Sequence, residues 1–256
     1  MLELEQIESF YPENLRPFKK NILREYLQYK ILDIIFGSVF NSKLVFMGGT
    51  ALRVIYGNRR FSEDLDFDNL GLNFEDFEDL LEIVQKKISL EGYETELSVK
   101  KRGAYIAQLK IKNLLYNYNL TSHPEQKIII EIDTESQSFD YKADKKIINK
   151  FDVFTMINVV PKDILLSQKI FSVLNRNRVL GRDLYDIIFL LGMVKPNKDY
   201  LINKTGTGDI ESIKKLLISK TSELNLLQIS NDVKAFLFDN SDLKKIELFS
   251  EYIKNL

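Results

Sequence analysis

The feature that most constrains the fold is a short apolar run that stops at two glycines. Leu44–Met47 has the composition of a buried strand, and Gly48 and Gly49 follow it directly. Residues 50–56 then read as one or two helical turns, closed by Gly57. Glycine lets the backbone approach a ligand closely, and a helix beginning there aims free N–H groups at it. The pattern therefore indicates a phosphate-binding bend, or simply a tight turn between a strand and a helix.

Two carboxylates follow on a second predicted strand, around residues 64–67. Asp64 and Asp66 are two positions apart, so their side chains point to one face while Leu65 points to the core. Adjacent anions repel each other and favour a bound cation unless they are exposed. Because the chain has no Cys and one His, the ligands would be oxygens, which favours Mg²⁺ or Mn²⁺. The alternative interpretation is a solvated strand edge.

A third acidic position is predicted on the strongly β-forming run 128–133. Glu131 and Asp133 share one face of this strand, opposite Ile130 and Ile132. An acidic residue in so apolar a strand is costly unless it is paired or metal-bound. Glu131 is the preferred third metal ligand because it lies farther from the predicted strand end, and Asp133 is the second choice.

Composition excludes several classes of site. Without Cys there are no disulfides or thiolate metal sites, and the presence of a single histidine, His123, rules out His-rich zinc sites. No apolar stretch approaches the roughly 18 residues of a membrane span, and the acidic N-terminus differs from a signal peptide, so we expect a cytoplasmic protein without a membrane partner.

The arginines give a first indication of phosphate binding. The net charge is −1, so any nucleic-acid contact requires a local patch. Guanidinium groups bind phosphate oxygens in a bidentate manner, and chance placement with surface salt bridges is the alternative explanation. Six of the nine arginines lie in two short segments: Arg53, Arg59 and Arg60, then Arg176, Arg178 and Arg182.

The order of predicted elements indicates an α+β protein with two domains. Hydrophobic periodicity predicts a mixed sheet in residues 1–160, and a C-terminal helical bundle in residues 161–256. The predicted helices are 19–36, 74–90, 161–177, 182–194, 209–222, 230–238 and 242–254, and the predicted strands are 44–47, 64–67, 94–100, 104–112, 127–133 and 155–160.

Three motifs carry a family resemblance. The run Gly-Gly-Thr-Ala-Leu, the segment from Arg60 to Phe67, and the later block Gly181–Asp186 resemble the AbiEii nucleotidyltransferases. These are toxins of type IV toxin–antitoxin systems, within the DNA polymerase β-like superfamily. The resemblance covers roughly residues 20–195. It implies a mixed-sheet nucleotidyltransferase domain followed by a helical bundle.

The resemblance also implies a reaction and a set of residues. NMP would pass from an NTP to an acceptor, with a tRNA end as the favoured acceptor, two Mg²⁺ or Mn²⁺ ions as cofactors and a cognate antitoxin as a partner. A catalytically inactive module that binds nucleotide or a partner on the same fold is the alternative. The predicted catalytic residues are Asp64, Asp66, Glu131 and Lys169; the predicted metal ligands are Asp64, Asp66, Glu131 and Asp133; the predicted nucleotide-binding residues are Gly48, Gly49, Thr50, Arg60, Ser62, Lys169, Arg182 and Asp183.

Some of these assignments have alternatives of their own. Many superfamily members have Ser where Gly49 stands, so Thr50 is expected to take over the hydroxyl contact. Lys169 would reach the triphosphate, or would instead pair with Asp183 or Asp186. Arg182 would do the same, or would cap a helix.

Overall fold

The computed structural model describes residues 2–256 and divides them into two compact units. The first contains residues 2–57, 61–138 and 143–160, and the second contains residues 58–60, 139–142 and 161–256. Two short segments, residues 58–60 and 139–142, thus group with residues 161–256. The two domains 1–160 and 161–256 stay a prediction.

The first unit is built from helices and strands that alternate irregularly. Its helices are α1 (Leu4–Ser9), α2 (Lys19–Phe36), α3 (Gly48–Tyr56), α4 (Phe74–Leu90) and α5 (Leu114–Asn117), and its strands are β1 (Leu44–Met47), β2 (Leu65–Asn69), β3 (Thr95–Arg102), β4 (Ala104–Ile111), β5 (Ile128–Glu135), β6 (Asp144–Lys150) and β7 (Val153–Val159).

These strands form one mixed seven-stranded sheet in the order β3-β4-β5-β2-β1-β7-β6. Strand β2 is parallel to β5 and β1 is parallel to β7, whereas the other neighbours are antiparallel. Consequently β2, which begins within the Asp64–Asp66 motif, lies beside β5. The sheet brings together two acidic segments that are far apart in the sequence.

Alternation of side chains gives this sheet a buried and a more exposed face. On β5, Ile128, Ile130 and Ile132 are buried, while Glu131 and Asp133, which point to the other face, are half-buried. Helices α2 and α4 pack against the sheet, and their apolar side chains form much of the core. The acidic residues therefore lie on the face that the core does not occupy.

The second unit is helical. Its helices are α6 (Lys162–Asn175), α7 (Gly181–Leu191), α8 (Lys198–Thr205), α9 (Ile210–Thr221), α10 (Leu226–Lys234), α11 (Leu243–Glu247) and α12 (Phe249–Lys254). Within residues 2–256, no helix combines the length and apolarity that crossing a bilayer requires.

The predicted fold class, a mixed sheet followed by a helical bundle, is confirmed, and the structure corrects several elements. Strand β6 and helices α1, α5 and α8 were not predicted. The predicted helix 230–238 begins and ends about four residues too late, since α10 is Leu226–Lys234. The predicted helix 242–254 is interrupted at Leu248, which separates α11 from α12.

Candidate active site

The glycine bend after β1 lets an aspartate lie against the backbone. Gly48 has φ +78°, a left-handed conformation that glycine adopts without steric cost. A Cβ atom at Gly48 would lie 2.7 Å from Cγ of Asp66, closer than any real side chain allows. Met47 is the cross-strand partner of Asp66, which places the aspartate beside the bend. The missing side chain is therefore what makes room for the Asp66 carboxylate.

The parallel pairing of β2 and β5 places a second aspartate next to the first. Asp66 and Asp133 are register partners, and both are half-buried on the same face of the sheet. Asp64 comes just before β2, and Glu131 lies two residues before Asp133. The structure thus brings the acidic residues of both predicted segments to one place.

The carboxyl group of Asp133 has a strongly raised pKa. Burial raises the pKa of Asp133 to about 7, and the negative charges of three neighbouring carboxylates act in the same direction. Those neighbours are Glu131, Asp66 and Asp64. Among the residues described, Oδ1 of Asp133 is buried and has no hydrogen-bond partner. A group in this position is stabilised by a cation or by its own protonation.

Glu131 is held differently. Nε2 of Gln108, on the neighbouring strand β4, donates a hydrogen bond of 2.9 Å to Oε2 of Glu131. Gln108 and Glu131 are direct cross-strand partners. One oxygen of Glu131 is therefore fixed by an amide that carries no charge.

The donor set of the acidic group fits a hard divalent cation. Every candidate ligand is a carboxylate, the kind of oxygen donor that Mg²⁺ and Mn²⁺ prefer. The buried oxygen of Asp133 without a partner and the close approach at Gly48 provide a polar atom and the space for such a ligand. Within residues 2–256, no three acidic or histidine side chains lie close enough together to coordinate a metal ion in their present conformations. The fit thus rests on charge and on the unsatisfied oxygen rather than on a closed coordination shell.

Two crystal structures from Helicobacter pylori have a similar fold. One is the JHP933 protein, which is 17% identical over 92% of each chain with a TM-score of 0.56. The other is described as a candidate nucleotidyltransferase; it is 17% identical over 91% of this chain and 94% of its own, with a TM-score of 0.54. No curated protein matches the chain.

A family model decides the assignment. The model described as nucleotidyl transferase AbiEii toxin, type IV TA system, matches residues 30–249, which is most of the chain. The chain belongs to the AbiEii family. The predicted resemblance is thereby confirmed, and with it the assignment as a nucleotidyltransferase of a toxin family.

Thr50 and Ser62, the two residues after the glycines that were predicted to contact phosphate, form hydrogen bonds within the protein. The hydroxyl of Thr50 donates to the backbone carbonyl of Asp64, and Thr50 is fully buried. The backbone carbonyl of Ser62 accepts a hydrogen bond of 3.1 Å from Gln28. Any contact of Thr50 with phosphate would therefore use its backbone N–H. Nucleotide binding by these two residues, and by Gly48 and Gly49, remains a prediction.

In the helical unit, the predicted lysine lies in a buried ion-pair network. Nζ of Lys169 lies 3.0 Å from Oδ1 of Asp183 and 3.0 Å from Oδ2 of Asp186. Burial alone would lower the pKa of Lys169, but the charges of Asp186 and Asp183 raise it overall. The pairing alternative considered for Lys169 thus exists in the structure, and its catalytic and nucleotide-binding roles stay predictions.

Arg60 belongs to the same buried network. Its Nε and one terminal nitrogen bind the two oxygens of Asp186 at 2.8 and 2.7 Å, and Nδ2 of Asn58 adds a bond of 2.9 Å. Arg60 and Asp186 are almost completely buried. Sequence reasoning did not single out Asn58, because an amide beside a glycine reads as turn composition.

Ion pairs also account for most of the two arginine segments. Arg53 binds Glu25 at 2.8 Å, Arg176 binds Asp183 at 2.6 Å, and Arg178 binds Asp232 at 3.0 Å. Arg182 is half-buried in the first turn of α7. In the structure, these three arginines therefore form salt bridges, which is the alternative to phosphate binding.

Proposed function

We propose that this chain transfers an NMP group from an NTP to a hydroxyl of an RNA acceptor, and that a tRNA end is the acceptor. The observation that carries the proposal is the meeting of Asp64, Asp66, Glu131 and Asp133 beside the Gly48 bend. Membership of the AbiEii family supports the same reaction class. NTP and tRNA are cytoplasmic substrates, so we place the activity in the cytoplasm.

In this proposal, the acidic group has a binding role. Asp64, Asp66 and Asp133, with Glu131 beside them, would hold Mg²⁺ or Mn²⁺. Bound there, a pair of such ions would activate the acceptor hydroxyl and stabilise the leaving pyrophosphate. Asp133 is the favoured third ligand on this structure, because its Oδ1 has no other partner among the residues described, whereas Oε2 of Glu131 already accepts a hydrogen bond.

The backbone of the bend would orient the triphosphate. Helix α3 begins at Gly48, so the N–H groups of its first turn are not used within the helix. These groups and the helix dipole favour an anion at this end. Gly48 also keeps the bend free of a Cβ atom, which lets a phosphate and the Asp66 carboxylate approach the same backbone.

The proposal is tested by label transfer. Purified protein is incubated with each labelled NTP, Mg²⁺, and either total tRNA or a protein extract. Label in the RNA fraction, lost in Asp66→Asn, supports the proposal; label in protein would make it an NMP transferase that acts on protein hydroxyls. NTP binding without any labelled product would favour the inactive binding module.

We also propose that the chain is the toxin of a toxin–antitoxin pair, as its family description suggests. Induced expression in a bacterial host should stop growth, and Asp66→Asn should relieve the arrest. Co-expression of the neighbouring gene should restore growth if that gene encodes the antitoxin. Growth that is unaffected by the active protein would contradict the toxin role.

A further inference from the structure

Strand β4 places different side chains opposite the two acidic residues of β5. In their antiparallel register Gln108 faces Glu131, and Ile106 faces Asp133. Side chains directly opposite in such a pair lie on the same face and within contact distance. The neighbouring strand therefore offers an amide to one carboxylate and only hydrocarbon to the other.

The hydrogen bonds follow this difference. Nε2 of Gln108 donates to Oε2 of Glu131 at 2.9 Å. Oδ1 of Asp133 is buried and finds no partner in the described part of the chain. The two carboxylates are thus two residues apart on one strand but differ in how strongly they are fixed.

Glu131 would be displaced without this bond. It is close to Asp133 and, with Asp64 and Asp66, belongs to a group of four like charges, which repel each other. A glutamate side chain has three rotatable bonds, so repulsion can turn its carboxylate away from the group. A lysine at position 108 would also hold Glu131, but it would cancel the charge that attracts a divalent cation. A neutral amide fixes the carboxylate and keeps its charge.

We infer that Gln108 is a positioning residue, which holds the Glu131 carboxylate beside Asp133 so that the acidic group is ready to bind a divalent cation. The inference rests on the proposed function, since it assigns a role toward the same metal-binding group. Gln108 need not touch the ion or the nucleotide, because it acts through Glu131.

Binding of Mn²⁺ to the full-length protein without nucleotide, measured by calorimetry, tests the inference. Gln108→Met keeps the length of the side chain and removes the donor, and it should weaken Mn²⁺ binding about tenfold, the lower end of the effect of losing a partner that orients a metal ligand. Lys110→Met is the matched control, since Lys110 lies on the same strand and face but opposite Ile129. It should leave the affinity unchanged.

A double-mutant cycle separates positioning from a general effect on the sheet. In the Glu131→Gln background, Gln108→Met should cause no further loss, because the carboxylate on which it acts is gone. Thermal melting of each variant confirms that it is folded. An unchanged affinity in Gln108→Met, or an equal loss in both backgrounds, would overturn the role of Gln108.

The same measurement distinguishes failure of the inference from failure of the proposed function. If the wild type binds Mn²⁺ and Asp66→Asn does not, the metal-binding group stands and only the result for Gln108→Met decides the inference. If the wild type does not bind Mn²⁺, or Asp66→Asn binds it equally well, the proposed metal-binding group is wrong and the inference is overturned with it.

Discussion

Asp133 occupies a position that costs the folded chain stability. Its carboxylate is partly removed from water and lies near three other acidic residues, which together raise its pKa to about 7. A carboxyl group whose pKa is raised by folding destabilises the fold as the pH increases from its ordinary value towards the raised one. Residues that bind ligands are commonly kept at such a cost.

Asp133→Asn should therefore stabilise the metal-free protein. At pH 8, with a chelator present, we expect the free energy of unfolding to increase by about 1 kcal/mol, because the repulsion is removed. At pH 3.5, below the ordinary pKa of 3.8, the gain should nearly vanish, since the carboxyl group is then mostly protonated in the unfolded chain as well as in the folded one. Denaturant unfolding at both pH values measures the difference, and Glu135→Gln, at the exposed end of β5, is the control. A loss of stability at pH 8 would contradict the argument.

Comparing substitutions at Gly48 and Gly57 distinguishes the effect of backbone strain from the effect of a steric clash with Asp66. Gly48 and Gly57 have nearly the same φ, +78° and +74°, but only Gly48 has atoms within 4 Å of where a Cβ would lie. Gly57→Ala should cost about 1–2 kcal/mol, the strain of a left-handed residue, and leave NMP transfer intact. Gly48→Ala should cost more and abolish transfer, because the new methyl displaces Asp66. Equal effects of the two substitutions on transfer would refute the role of the close approach.

The sequence grouped the acidic residues into two pairs but did not show how the two members of a pair differ. The i, i+2 spacing placed Asp64 with Asp66 and Glu131 with Asp133 on shared faces. It could not decide between Glu131 and Asp133, because that depends on which residue of β4 lies opposite each one. Cross-strand register is a tertiary property, and Gln108 is 23 residues away from its partner Glu131.

At the level of elements, a buried glutamate connects parts of the chain that are far apart in sequence. Glu25 on α2 accepts hydrogen bonds from Arg53 on α3 at 2.8 Å, from Lys150 at the end of β6 at 2.7 Å, and from the Tyr11 hydroxyl at 2.8 Å. Burial alone would raise the pKa of Glu25, but the charges of Arg53 and Lys150 lower it overall. Glu25 is thus charged and fully paired.

Glu25→Gln should destabilise the protein by about 3–5 kcal/mol at pH 7, because it removes the buried carboxylate that pairs with the half-buried cations of Arg53 and Lys150. A carboxylate whose pKa is lowered by folding contributes stability above its ordinary pKa, and this is lost as the pH falls through the folded value. The gap between wild type and variant should therefore narrow as the pH falls below about 4.5. Urea unfolding from pH 7 to pH 3.5 measures it. Glu94→Gln, in an exposed pair with Lys112, should cost less than about 1 kcal/mol.

Strand β6 illustrates why some elements could not be predicted. Its sequence Asp-Lys-Lys-Ile-Ile-Asn-Lys has neither strict alternation nor turn residues at both ends, and a Lys-rich strand reads as a loop. In the structure it is an edge strand, paired only with β7, where charged residues are expected. Helix α2 and helix α4, in contrast, were predicted to the residue, since each carries an uninterrupted helical pattern.

At the scale of the whole molecule, the chain order does not match the two compact units. Residues 58–60 belong to the helical unit although they stand between α3 and β2. Arg60 and Asn58 supply hydrogen bonds to the buried Asp186, and Arg60 forms a bridge with Leu237. No local sequence pattern predicts that residues 58–60 group with the helical unit, because Asn58 and its partner Asp186 are more than a hundred residues apart. The helical composition after residue 160 indicates a domain boundary there, but it does not indicate that residues 58–60 group with the helical unit.

The position of Arg60 in the helical unit predicts which elements lose stability when its guanidinium is removed. Arg60→Met leaves Asp186 buried with Lys169 as its remaining cation, so the helical unit should lose about 3–5 kcal/mol of stability. Hydrogen exchange followed by mass spectrometry should show reduced protection in α6 and α7, with β1, β2 and β5 unchanged, although Arg60 is only five residues from β2 in the sequence. Arg59→Met, at an exposed position next to it, should leave both sets of peptides unchanged. Reduced protection in the sheet strands but not in α7 would show that Arg60 stabilises the first unit instead.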